Sequence, residues 1–176
     1  LDQTIRQVLA ATQAPQVNLI GHSAGGWIAR IYLGDHPYHE RIWGGCPLVK
    51  TLITLGTPHL SQERWTKRNL DFVNNTYPGA FYPDVRYICV AGKSIYGQLR
   101  WNFRDWFTYS SYRLTGGEGC TWGDGVTPIA AAHMEGAVNL VLDNVQHSPR
   151  RSQSDGTPHA WYGSPEPLSQ WLPYLA

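Results

Sequence analysis

The chain alternates short apolar runs with amphipathic stretches, the pattern of a parallel sheet whose strands are joined by helices. Leu1, Ile5, Val8, Leu9 and Thr12 share one helical face, and Pro15 closes that helix. Residues 17–20 predict a first strand, residues 49–55, 85–91 and 137–142 predict further strands, and residues 166–175 predict a closing helix. After the first strand, Ala24, Trp27, Ile28 and Ile31 recur at helical spacing, predicting a helix to about residue 35. The strand segments are apolar along most of their length, so both faces of the sheet are expected to be covered. Ligands of such sheets bind beyond the carboxyl ends of the strands.

Two long segments interrupt this rhythm, at about residues 60–84 and 94–118, and both are rich in aromatic side chains. Loops of that length inside a compact domain are usually functional, and the reading here is two cap- or lid-like insertions. The chain as a whole holds 8 Trp, 10 Tyr and 4 Phe, more than a small core needs, which suits an apolar cleft with a cover. With 176 residues, one domain is expected.

Charge narrows the partners. Charged residues make up 15% and the net charge is +1, so the electrostatic footprint of a nucleic-acid binder is missing. No apolar run is long enough for a transmembrane helix, and no signal peptide opens the chain. The three cysteines, Cys46, Cys89 and Cys120, have no metal-ligand spacing, and Cys89 in an apolar run reads as a buried free thiol. A soluble protein of the cytoplasm or plastid stroma is favoured over a secreted one, with peripheral membrane contact left open.

The chemistry begins directly after the first strand, at Gly21-His22-Ser23-Ala24-Gly25-Gly26. Gly-x-Ser-x-Gly between a strand and a helix is a nucleophile elbow, a sharp turn that holds a serine hydroxyl exposed at the top of a sheet. A Cβ at Gly21 or Gly25 is expected to collide with the turn. The bare motif arises easily by chance in a glycine-rich chain. Its position between an apolar run and an apolar-periodic helix is what gives it weight.

A serine hydroxyl attacks only when a histidine takes its proton, and that histidine needs a carboxylate to fix its tautomer. In elbow hydrolases the order is serine, acid, histidine. Gly123-Asp124-Gly125-Val126-Thr127-Pro128 follows the third strand and offers Asp124 between two glycines. His147, in the loop leaving the fourth strand, is the preferred base, and His159 is its rival. His133 falls in an alanine-rich helical segment, and His36 and His39 in the turn after the elbow helix. His22 and His59 either line the cleft or pack beside it, and Trp101 and Trp106 complete the candidate substrate pocket.

Gly-His-Ser-Ala-Gly-Gly, Thr54-Leu55-Gly56-Thr57-Pro58-His59, Gly123-Asp124-Gly125-Val126-Thr127-Pro128 and the strand leading to His147 together resemble the lipase-like branch of the α/β-hydrolase superfamily. That branch includes bacterial triacylglycerol lipases, phosphatidylcholine-sterol acyltransferases and the inositol deacylases of glycolipid anchors. The Trp-Ile-Ala-Arg helix and the Trp161-Tyr162-Gly163 tail are similar to uncharacterised members from cyanobacteria and plastids.

The resemblance implies an α/β-hydrolase fold, a mostly parallel sheet with helices on both faces. Ser23 is then the nucleophile, Asp124 the acid, His147 the base and the backbone N–H of Ala24 an oxyanion donor, with no cofactor and no metal. The family fold places several strands and a second oxyanion donor before the elbow. Residues 1–176 are therefore expected to form a single incomplete domain, either part of a longer protein or a natural truncation, and to have little activity alone. The implied activity is hydrolysis of carboxylic, lipid-like acyl esters through an acyl-enzyme. An acyltransferase using the same residues and a non-catalytic binding module are the alternatives.

Overall fold

The computed structural model describes residues 1–151 and 156–176. Helix α1 (Asp2–Thr12) leads into strand β1 (Val17–His22), which turns at Ser23 into helix α2 (Ala24–Leu33). Strand β2 (Val49–Leu55), helix α3 (Arg64–Thr76) and strand β3 (Arg86–Lys93) follow. Next come β4 (Ile95–Tyr96), α4 (Phe103–Gly116), β5 (Trp122–Gly123) and the short α5 (Ile129–Ala132). Strand β6 (Val138–Asp143) and helix α6 (Pro165–Trp171) complete the chain, the last running into a 3₁₀ turn at Leu172–Leu175.

Four strands pair in parallel in the order β1-β2-β3-β6, while β4 and β5 form a separate antiparallel pair. Ile20, Ile53, Ile88 and Val138 lie in register across the sheet, so the carboxyl ends of all four strands face the same side. Parallel neighbours need a crossover each, and α2 and α3 supply the first two. The architecture is the α/β class expected, a parallel sheet with flanking helices.

The central strands β2 and β3 are buried almost end to end. One face carries Leu52, Tyr87 and Cys89 against Ile5 of α1 and Ala29 and Leu33 of α2. The other carries Ile53, Ile88 and Val90 against Tyr162 and Trp171 of the carboxyl-terminal segment. β1 and β6 are the edges, which explains why Ile20 stays 48% exposed and Val141 43% exposed. All three cysteines are free, with Cys89 in the core.

The apolar spacing of the helices located them without fixing their inner faces. In α1 only Ile5 is fully buried, and Leu1 and Val8 face solvent. In α2 the outward residue is Ile28, while Arg30 points into the core beside Ala29 and Leu33. Both aromatic insertions contain helices. Glu63 caps α3 by accepting the N–H groups of Trp65 and Thr66, and Leu70 and Val73 bury its inner face. Asn102 caps α4, and Tyr112 pins it down, donating its hydroxyl to the Ile95 carbonyl and accepting the Gly125 N–H.

Candidate active site

Ser23 sits at φ 54° and ψ −129°, a conformation that a side chain disfavours and that costs on the order of 1–3 kcal/mol. The turn is held from two directions. The Ser23 N–H donates to the Leu55 carbonyl at 2.9 Å, fastening the turn to β2, and α2 starts at the next residue. A Cβ on Gly21 would lie 2.6 Å from the Cα of Gly26, so the close approach of strand and helix demands glycine there. The expectation for Gly25 fails, because a Cβ there meets open space. The crowded neighbour is Gly26, whose added Cβ would run into the Thr57 side chain, because α2 leaves the turn directly over the Gly56-Thr57 loop.

Asp124 follows β5 in a turn whose geometry is set by its own carboxylate. Oδ1 accepts the N–H groups of Val126 and Thr127 at 2.9 and 2.7 Å. Oδ2 accepts from His147 Nδ1 at 2.7 Å and from the Tyr162 hydroxyl at 2.8 Å. Every lone-pair direction of this buried carboxylate thus has a donor. The His147 N–H also donates to the Asp124 carbonyl at 2.9 Å, so backbone and ring are fixed together. Because Nδ1 carries the proton shared with Asp124, His147 Nε2 is left with a lone pair.

Three separated motifs meet here for steric reasons. Gly56 has φ +55°, and a Cβ on it would sit 2.6 Å from Asp124 Oδ2. The Thr127 hydroxyl donates to the Gly56 carbonyl at 2.9 Å, and the Thr57 hydroxyl donates to the Gly21 carbonyl at 3.4 Å. The Ser23 turn, the loop after β2 and the Asp124 turn are therefore stitched to one another.

Tyr162 stands outside the serine, acid and histidine motifs, and no periodicity marks it as part of a site. Its fully buried hydroxyl accepts the Gly92 N–H at 2.8 Å while donating to Asp124. Burial, followed by the neighbouring Asp124 charge, raises its pKa well above the ordinary tyrosine value, so it stays a donor.

The structure unites Asp124 with His147 and sets His22 beside them. The His22 ring lies 4.7 Å from the His147 ring, and its Nε2 donates to the His147 carbonyl at 2.8 Å. No hydrogen bond joins the Ser23 hydroxyl to His147 among the described residues, and such bonds are often loose before substrate binds. Ser23 is half-buried, and Ala24 is exposed at the amino-terminal end of α2, where backbone N–H groups have no partner within the helix.

A cavity of about 570 Å³ opens on the His147 side, lined by Asp124, His147, Phe103, Phe107 and the rival base His159. The other pocket candidates lie elsewhere. Trp101 and Trp106 border a separate groove of about 510 Å³ that shares Phe103 with the first. His59 is buried below the strand ends, between Arg30 Nη1 at 3.4 Å and Thr54 Oγ1 at 3.3 Å, and it lines neither cavity. Arg30 in turn donates to Asn74 Oδ1 and to the Tyr77 carbonyl, which explains a buried guanidinium in α2.

His59 has a consequence for acid stability. Burial, then the positive charges of Arg30 and His133, pulls its pKa from 6.5 to about 3. The unfolded chain binds the extra proton between those values, so this contribution to stability is whole above about pH 6.5 and shrinks as pH falls toward 3. On the order of 5 kcal/mol is involved over the full window. Urea midpoints at pH 7 and pH 4.5 are expected to fall clearly for the wild type and less for His59→Leu. Equal falls would remove His59 as the source.

Known proteins are similar to parts of this chain. Residues 1–78 match the PGAP1-like alpha/beta domain. That stretch includes Ser23 and the loop after β2, while Asp124 and His147 lie beyond it. Triacylglycerol lipases of Pseudarthrobacter phenanthrenivorans and Burkholderia plantarii are each 44% identical to this chain over 59 residues, which is 34% of this chain. The matched stretch spans only 16% and 14% of those lipases. The crystal structure of the gene lin2722 products from Listeria innocua superposes with a TM-score of 0.49 at 14% identity, covering 95% of this chain and 61% of that one. The similarity is to lipase-like α/β-hydrolases, and it is distant and partial. Among the described residues no helix is long and apolar enough to cross a membrane.

Proposed function

We propose that the chain carries the catalytic residues of a serine hydrolase that cleaves carboxylic acyl esters. The observation that carries this reading is the buried Asp124–His147 hydrogen bond at the strand ends where the strained Ser23 turn also lies. Ser23 Oγ attacks the ester carbonyl carbon, and its proton passes to His147 Nε2. Asp124 stabilises the resulting imidazolium, and the Ala24 N–H donates to the oxyanion. Collapse expels the alcohol, which takes the proton back from His147. Water, deprotonated by the same nitrogen, then releases the carboxylic acid and restores Ser23.

The partial likeness to triacylglycerol lipases and the aromatic side chains around the cavity support a lipid-like acyl group. Residues 94–118 act as a cap, because Phe103 and Phe107 of α4 form one wall of the cavity that His147 lines.

A fluorophosphonate probe reports on Ser23 directly. Incubated with the intact protein, it is expected to leave one adduct, located on Ser23 by peptide mass spectrometry. His147→Gln should slow labelling by about 10²-fold or more, the usual contribution of a general base. No adduct, or an adduct on another serine, would end this reading.

A further inference from the structure

The lining of the cavity beside His147 mixes apolar and basic side chains. Phe103, Phe107 and Ile95 supply an apolar wall, while Arg104 of α4 and Arg150 and Arg151 of the loop after His147 line the same space. The one carboxylate in the lining, Asp124, is saturated by its four donors and has nothing left for a cation. Among the described residues the three guanidinium groups make no ion pair. Arg104, Arg150 and Arg151 are exposed to solvent and outnumber the one lining carboxylate, so the cavity mouth carries an excess of positive charge that favours an anionic group.

We propose that the cavity takes acyl esters whose alcohol portion carries a phosphate group, with the acyl chain along Phe103 and Phe107 and the phosphate held by Arg104, Arg150 and Arg151. Guanidinium groups suit this task, since each presents a planar fork of donors that matches two phosphate oxygens. A carboxylate brings a single negative charge and two oxygens, whereas a phosphate monoester brings nearly two charges and three oxygens to share among three forks. His147 lines the same cavity as the phenylalanines and the arginines, so an ester seated on both shares that space with the base. The inference deepens the hydrolase reading by naming its substrate class, and it rests on that reading for the role of His147.

The test separates recognition from chemistry. The intact protein carrying Ser23→Ala, which cannot turn substrate over on this reading, is titrated calorimetrically with 1-octanoylglycerol 3-phosphate, with 1-octanoylglycerol and with inorganic phosphate, all in 50 mM salt. The phosphate ester is expected to bind at least about tenfold more tightly than the neutral ester, the scale of one charged hydrogen bond. Inorganic phosphate should bind more weakly still, because it leaves the apolar wall unused. Adding Arg104→Gln, Arg150→Gln and Arg151→Gln should bring the two esters within about twofold of each other, and raising the salt should shrink the preference in the parent. Equal binding of the two esters, a preference that survives loss of the three arginines, or inorganic phosphate binding as tightly as the ester would each overturn the proposal. Wild-type protein assayed on both esters reads the other question. Binding preference without hydrolysis of either ester refutes the hydrolase reading alone, and hydrolysis without binding preference refutes only the phosphate assignment.

Discussion

Ser23→Ala is expected to lower ester turnover by about 10⁶-fold while leaving the fold unchanged. The size follows from the way the group acts as a unit: without the hydroxyl there is no acyl-enzyme, and His147 and Asp124 have no nucleophile to serve. The fold should tolerate the change because the serine side chain makes no hydrogen bond that the turn depends on. The turn is held by the Ser23 N–H on the Leu55 carbonyl and by the contact of Gly21 with Gly26, and both survive in alanine. The φ of 54° is as strained for alanine as for serine, so melting temperature should move little. The measurement is kcat on a chromogenic acyl ester together with a thermal melt. An alanine variant with more than a few per cent of wild-type turnover would remove Ser23 as the nucleophile, and a variant with a collapsed melt would show that the hydroxyl holds the turn.

The sheet and the strand-to-helix turn at Ser23 were legible in the chain because each obeys a local rule. Val17 to Ile20 followed by Gly21-His22-Ser23-Ala24-Gly25-Gly26 announces strand, turn and helix in order, and β2 and β3 read as buried because they lack polar alternation. Asp124 and His147 were legible by chain order and by their place after strands, and they prove to be joined by a hydrogen bond. What sequence concealed depends on three-dimensional packing. That His59 packs instead of lining the cleft, with Arg30 buried beside it, is decided only when α2, α3 and the loop after β2 assemble around them. Gly26, not Gly25, is crowded, and that is decided by Thr57, more than two dozen positions away. Tyr162 reaches Asp124 only because the carboxyl-terminal segment packs against Ile53, Ile88 and Val90 and buries its ring in one cluster with Trp171. Helices α3 and α4 escaped because most of their aromatic side chains stay exposed and only Leu70 and Val73 in one and Thr108 and Tyr112 in the other are buried, and their caps, Glu63 and Asn102, are recognisable only once the following N–H groups point at them.

The choice of base gives the second large effect. His147→Ala should cost nearly as much turnover as Ser23→Ala, on the order of 10⁶-fold, and His159→Ala no more than a few-fold, even though both rings line the same cavity. The difference is the partner. His147 Nδ1 is 2.7 Å from a carboxylate that fixes its tautomer, whereas the bond of His159 to this region is its backbone N–H on the Arg150 carbonyl. Asp124→Asn then tests the pair from the other side. The amide keeps the shape and one oxygen, so the turn to Val126 and Thr127 is retained if that oxygen takes the Oδ1 position. The NH₂ group then faces His147 Nδ1 and can only donate, which forces the imidazole proton onto Nε2 and removes the lone pair that should take the Ser23 proton. Turnover should drop by about 10⁴-fold with the fold intact. The amide also turns a donor toward the Tyr162 hydroxyl, which can rotate to accept it, so the melt should shift modestly and without loss of cooperativity. Kinetics of the three variants on one chromogenic ester decide the matter: severe loss in His159→Ala with near wild-type His147→Ala would transfer the role to His159. A harmless Asp124→Asn would mean that the hydrogen bond between His147 and Asp124 is structural, and that the proton chemistry runs without it.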